Sequence, residues 1–100
     1  MLFRFNNVIN KVNSVDLETV LSRVDGNKID YLKMDCENSE YLILYKKDLK
    51  KIKYIGIEIH HQMGKKKWDE LKEWVSLTHY GFPDFDDNNK EVLLINKNYD

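Results

Sequence analysis

The chain has 100 residues, of which 42% are hydrophobic and 12% aromatic; that content suits one folded domain with a modest core and excludes a disordered chain. Charged residues make up 33% but nearly cancel, at a formal net charge of −1, so long-range electrostatics predict neither nucleic acid nor an anionic membrane as a partner. The single cysteine, Cys36, excludes an internal disulfide and a cysteine-based zinc cluster.

No apolar run approaches the ~20 residues a membrane helix needs, and "MLFRFNNVIN" is too poor in apolar residues for a signal peptide. The expected location is cytoplasmic. Phe3 to Val12 has room for one or two short strands. Asp16 then reads as an N-cap, with Leu17, Val20, Leu21 and Val24 on one face of an amphipathic helix that "DGN" (Asp25–Asn27) ends.

Ile29 to Met34 is the first clear strand. It stops at Asp35, and Glu37 and Glu40 follow. Ser39 to about Lys47 reads as a short helix with lysines at its C-terminal end. Lys53–His61, "KYIGIEIHH", is the second clear strand, rich in β-branched isoleucine. The longest helix is expected from Lys66 to about Tyr80, broken by Gly81 and Pro83 in "YGFPD". A polar turn, "DFDDNNKE", leads to a final strand from Glu91 to Ile95, with Phe85 a candidate for a strand pairing with it as a hairpin.

Strands alternating with helices indicate parallel βαβ units, and the closing pair of strands an antiparallel edge. The expected fold is therefore α/β: part of a doubly wound, mostly parallel sheet with an antiparallel C-terminal hairpin and helices on both faces. Residues 1–100 would form a single domain.

Ligands bind outside the carboxyl ends of the strands in such sheets, which draws attention to Asp35 and His60. Asp35 suits two roles about equally: a cap for the following helix, or a carboxylate that orients or deprotonates a substrate hydroxyl. His60 is a general-base candidate, weighed against a merely structural histidine, and adjacent His61 would point to the opposite face. Glu37 faces solvent or the helix N-terminus, and Glu40 serves the helix's first turn.

Alternation puts Tyr31, Lys33 and Asp35 on one face, and Gly56, Glu58 and His60 on one face of the second strand. If the two strands are level neighbours, Lys33 and Glu58 form an ion pair; otherwise both point to solvent. Metal binding by Asp35, Glu37, Glu58 and His60 is conceivable but has no dedicated spacing. The "GKKK" run (Gly64–Lys67) reads as a solvated turn, Cys36 as a small packing residue, and Trp68 and Trp74 as core or lid packing. G-x-G-x-x-G, a P-loop and a nucleophile elbow are all absent.

The segments "VDLETVL", "IDYLKMDCENSEYLIL" and "KYIGIEIHH" together resemble the C-terminal half of FkbM-type methyltransferases, which use S-adenosylmethionine. Leu17, Leu21, Ile29, Asp30, Leu32, Lys33, Asp35, Glu37, Glu40, Leu44, Glu58 and His60 fit the family pattern, and the run K-x-D-x-E-x-x-E behind a strand is its most telling part. Asn38 stands where the family has glycine, and Cys36 where valine is usual.

The resemblance implies a class I, Rossmann-like methyltransferase sheet of which this chain supplies the fourth to seventh strands. The cofactor-binding N-terminal half, with its glycine-rich loop, has no counterpart. It further implies O-methylation of a sugar or lipid-linked metabolite hydroxyl. Asp35, His60 and Glu37 would stand on the acceptor side, with Lys33 and Glu58 supporting the floor. The small-molecule acceptor is the expected partner, and S-adenosylmethionine would not be bound by this chain alone. The alternative is a non-catalytic remnant that assembles with itself or another protein through an exposed sheet edge, presenting an apolar strip near Ile29–Met34. A third option is a small enzyme built on the acid cluster alone.

Overall fold

A computed structural model describes residues 2–5, 8–11, 28–34, 40–86 and 91–98. The helix expected from Asp16 to Val24, and the turn from Asp35 to Ser39, lie outside the described residues. Six strands form one sheet: β1 (Leu2–Phe5), β2 (Val8–Lys11), β3 (Ile29–Met34), β4 (Ile52–Glu58), β5 (His79–Tyr80) and β6 (Glu91–Asn96). Two helices, α1 (Glu40–Leu44) and α2 (Lys65–Ser76), follow β3 and β4.

The spatial order is β2-β1-β3-β4-β6-β5. Among the described strands only β3 and β4 pair in parallel, with Leu32 level with Ile55 and Met34 with Ile57. The other four pairings are antiparallel, which corrects the expectation of a mostly parallel sheet. Among the described elements one strand–helix–strand crossover leads into a neighbouring strand, through α1. After α2 the chain makes a two-residue edge strand and returns as β6 between β5 and β4. On the other flank β1 pairs antiparallel with β3.

That pairing also corrects the expected exposed strip at Ile29–Met34. The β3 edge is occupied by β1, and Ile29, Leu32 and Met34 are buried.

Leu32 and Met34 share one face of β3, as do Ile55 and Ile57 on β4 and Val92 and Leu94 on β6. Against that face α2 lays Trp68, Leu71 and Val75, spaced i, i+3 and i+7, all fully buried. Ile43 and Leu44 of α1 and Leu49 complete the same core. Both described helices therefore belong to one face. Tyr41 Oη donates to Glu70 Oε2 at 2.8 Å, tying α1 to α2 and pushing the phenol's pKa up to about 12. Tyr45 stacks on Tyr41 and meets the edge of Trp74.

Helix α2 ends at Ser76, short of the expected Tyr80, because His79 leaves the helical path to enter the sheet. Its Nε2–H donates to the Ile52 carbonyl at 2.8 Å, which leaves Nδ1 to accept from the Thr78 hydroxyl at 2.8 Å. The ring is completely buried, and burial holds its pKa below the usual 6.5. β5 takes the place expected of Phe85 beside β6; Phe85 instead packs edge-on against Trp68 and His61.

Two stability measurements follow from the core. Leu71→Ala is expected to cost about 2–5 kcal/mol in urea unfolding, since it empties a fully buried site. Below pH about 6.5 the unfolded chain takes up a proton that folded His79 resists, so stability should fall as pH drops through that value and level off below the folded pKa. A His79→Gln variant, itself less stable, should show a flatter dependence of urea midpoint on pH across the same range.

Candidate active site

The sheet face away from α1 and α2 carries Tyr31 and Lys33 from β3, Gly56 and Glu58 from β4, and Glu91 and Leu93 from β6. At the carboxyl ends of β3 and β4 these residues line a hollow of about 480 Å³, together with Met34, Ile57 and Val92. Chain alternation alone put Tyr31 with Lys33, and Gly56 with Glu58. Glu91 and Leu93 join them only because β6 runs antiparallel to β4, setting Leu93 opposite Gly56 and Glu91 opposite Glu58. No motif in the sequence announces that pairing.

The floor depends on a glycine. A Cβ on Gly56 would fall 2.3 Å from Tyr31 Oη and 3.0 Å from its Cζ, so the Tyr31 ring lies across β4 in the space a side chain would fill. Tyr31 thereby brings a phenol to the hollow beside two carboxylates and an ammonium.

Two carboxylates directly opposite each other repel. Glu58 and Glu91 are in that relation; Lys33 lines the same hollow, and His60 stands beside Glu58. The expected Lys33–Glu58 ion pair is not formed. The register sets Lys33 level with Gly56, two residues short of Glu58, and the Lys33 side chain is exposed. Glu58 Oε1 instead lies 3.7 Å from His60 Nε2. Both side chains keep partial contact with solvent, at 44% and 20% exposure, so the interaction is weak and screened.

His60 stands just past the end of β4, still extended, before a short 3₁₀ turn at His61–Met63. His61 fixes that turn. Its ring stacks on Trp68 at 5.0 Å, and its Nε2–H donates to the Phe85 carbonyl at 2.6 Å. Trp68 in turn donates to the Pro83 carbonyl at 3.0 Å and meets Phe82 and Phe85 edge-on. The neighbouring histidines thus divide their work: one is clamped in an aromatic cluster, and the other faces the hollow's carboxylate.

Asp35 and Glu37 lie outside the described residues, as do Cys36 and Asn38. Among the described residues no group of three or more His, Cys, Asp or Glu side chains is placed to hold a metal ion. No helix among them is long and apolar enough to cross a membrane.

A strand–helix–strand unit with polar groups at the strands' carboxyl ends is an α/β arrangement, a class in which ligands bind at that end. Residues 2–83 match the family model described as the methyltransferase FkbM domain, and the chain belongs to that family of methyltransferases. No curated protein and no solved structure matches the chain.

Tyr31 fills the space beside Gly56, and a Cβ on Gly81 would fall 2.8 Å from the Leu93 carbonyl oxygen, so these two glycines leave no room for a nucleoside.

Gly56→Ala should displace the Tyr31 ring and destabilise the chain by about 1–3 kcal/mol, as over-packed sites do. Tyr31→Ala should cancel most of that penalty. A double-mutant cycle in urea, with a coupling of about 1 kcal/mol or more, checks the contact.

Proposed function

We propose that this chain forms the acceptor-side part of an S-adenosylmethionine-dependent O-methyltransferase, acting on a hydroxyl of a sugar or lipid-linked metabolite. The reading rests on the family match together with one observation: a hollow at the carboxyl ends of β3 and β4 is lined by hydrogen-bonding groups suited to a polyhydroxylated molecule. Carboxylates accept hydrogen bonds from hydroxyls, while the Lys33 ammonium and the Tyr31 phenol donate them.

Of the residues proposed for chemistry, Asp35 orients or deprotonates the acceptor hydroxyl, and His60 is the second candidate base, with Glu58 beside its ring to steady the imidazolium that would form. Glu37, which follows β3 with Asp35, shapes the same pocket. Lys33 and Glu58 support the floor. S-adenosylmethionine would supply the methyl group, and its cradle is proposed to come from sequence outside this chain, as the C-terminal part of a larger or split enzyme would require. β3, β4, β5 and β6 then stand as the fourth to seventh strands of the family's sheet.

The competing reading, a non-catalytic remnant that assembles through a sheet edge, has less in its favour, because β1 covers the edge of β3.

Calorimetry of this chain with S-adenosylmethionine should give no binding heat; micromolar affinity would overturn the assignment of the cradle to other sequence. The DNA upstream of Met1 should encode a glycine-rich segment in frame, frameshifted or as a neighbouring gene. In the assembled enzyme, His60→Gln should lower kcat by about 10²–10⁴ in a methyl-transfer assay if His60 is the base. An unchanged kcat would remove it from that role.

A further inference from the structure

We propose that the end of the sheet opposite the hollow is a docking surface for an anionic lipid bilayer. β3 and β4 begin there, β6 ends there, and the chain leaves α1 and α2 there. The Ile29 amide donates to the Lys51 carbonyl at 2.8 Å, the Asn96 side chain donates to the Lys50 carbonyl at 3.0 Å, and the Lys97 amide donates to the Thr78 carbonyl at 2.8 Å. These backbone ties gather Lys28, Lys50, Lys51 and Lys97 around one end, and all four are exposed.

Lys46 joins them from the turn after α1. Held at a positive φ of 61°, it lies 5.4 Å from the Trp74 ring and lines a second hollow, of about 450 Å³, with Lys50, Trp74 and Leu77. Lys47 and Lys53 lie at the same end, bringing the lysines there to seven; against them stand Asp30, Asp48 and Glu73 among the described residues. In a chain of net charge −1, lysines thus outnumber acids at this end among the described residues.

The charge is paired with apolar exposure. Leu77, just past α2, is 66% exposed, and Tyr80 on the edge strand is 60% exposed with the Lys97 ammonium 5.0 Å from its ring. Lysines around an exposed leucine and tyrosine match the interfacial region of a bilayer: long stems let the ammoniums reach headgroups while the apolar groups enter the acyl boundary. The cations described at this end are lysines, compact point charges suited to a diffuse negative potential and lacking arginine's bidentate fork. That favours the lipid surface over a nucleic acid. β4 is seven residues long, so docking at its start would hold the first hollow about 20 Å above the headgroups, open to the aqueous side. The docking surface does not depend on the methyl-transfer reading.

The test is flotation of the purified chain with vesicles of phosphatidylcholine alone and of phosphatidylcholine mixed with phosphatidylglycerol. Binding is expected only to the mixed vesicles and should fall steeply as salt is raised. A Lys46→Gln/Lys50→Gln variant should bind them about tenfold more weakly or worse. Leu77→Gln, at an exposed site that leaves the core intact, should weaken vesicle binding and leave retention on duplex DNA unchanged. Circular dichroism melting confirms that each variant is folded. Failure to distinguish the two vesicle types would overturn the proposal. So would vesicle binding that Leu77→Gln leaves unaltered, or DNA binding as tight as vesicle binding, which would mark a general polyanion surface.

Discussion

The parallel pairing of β3 with β4 is the contact on which the rest of the sheet depends. It makes Leu32 level with Ile55 and Met34 level with Ile57, so one face is a continuous apolar strip that α2 covers with Trp68, Leu71 and Val75. The same register sends Tyr31, Lys33, Gly56 and Glu58 to the other face, because alternate residues of a strand point opposite ways. Core and hollow are two sides of one pairing. A slip by a single residue would turn the leucine and isoleucines into the hollow and bury the lysine.

The histidines illustrate how one residue type is put to three uses by its surroundings. His79 is sealed in, satisfied by the Ile52 carbonyl and the Thr78 hydroxyl, and serves as the corner where α2 gives way to β5. His61 is a planar packing group, stacked on Trp68 with its ring nitrogen spent on Phe85. His60 keeps solvent contact and a carboxylate neighbour. Aromatic packing of the second therefore sets the position of the third, one residue away, where chemistry is proposed.

Much of the chain was legible from its pattern. The bounds of β3 follow from the apolar run Ile29–Met34, and α2 from the spacing of Trp68, Leu71 and Val75. The family, too, was readable in the run from Lys33 to Glu40 and in Glu58 and His60. What escaped was set by partners distant in sequence. The antiparallel return of β6 beside β4, and so the meeting of Glu91 with Glu58, depends on where the chain turns after Pro83. The end of α2 at Ser76 depends on a buried hydrogen bond from His79 to a carbonyl 27 residues earlier. The expected Lys33–Glu58 pair failed because level strand ends were assumed, whereas the register sets Glu58 two residues further along than Lys33.

The two outermost strands are brief: β5 is two residues long and β2 four. Each leaves only a short row of backbone groups for an incoming strand, and the two-residue side has scarcely one repeat of a ladder to offer. A chain rich in isoleucine and tyrosine is thus guarded at its margins against growing into stacked copies of itself. Lengthening β5 by replacing the Gly81 turn with strand-forming residues would trade that protection away. The Leu93 carbonyl, pressed against Gly81, stands in the way of such a change.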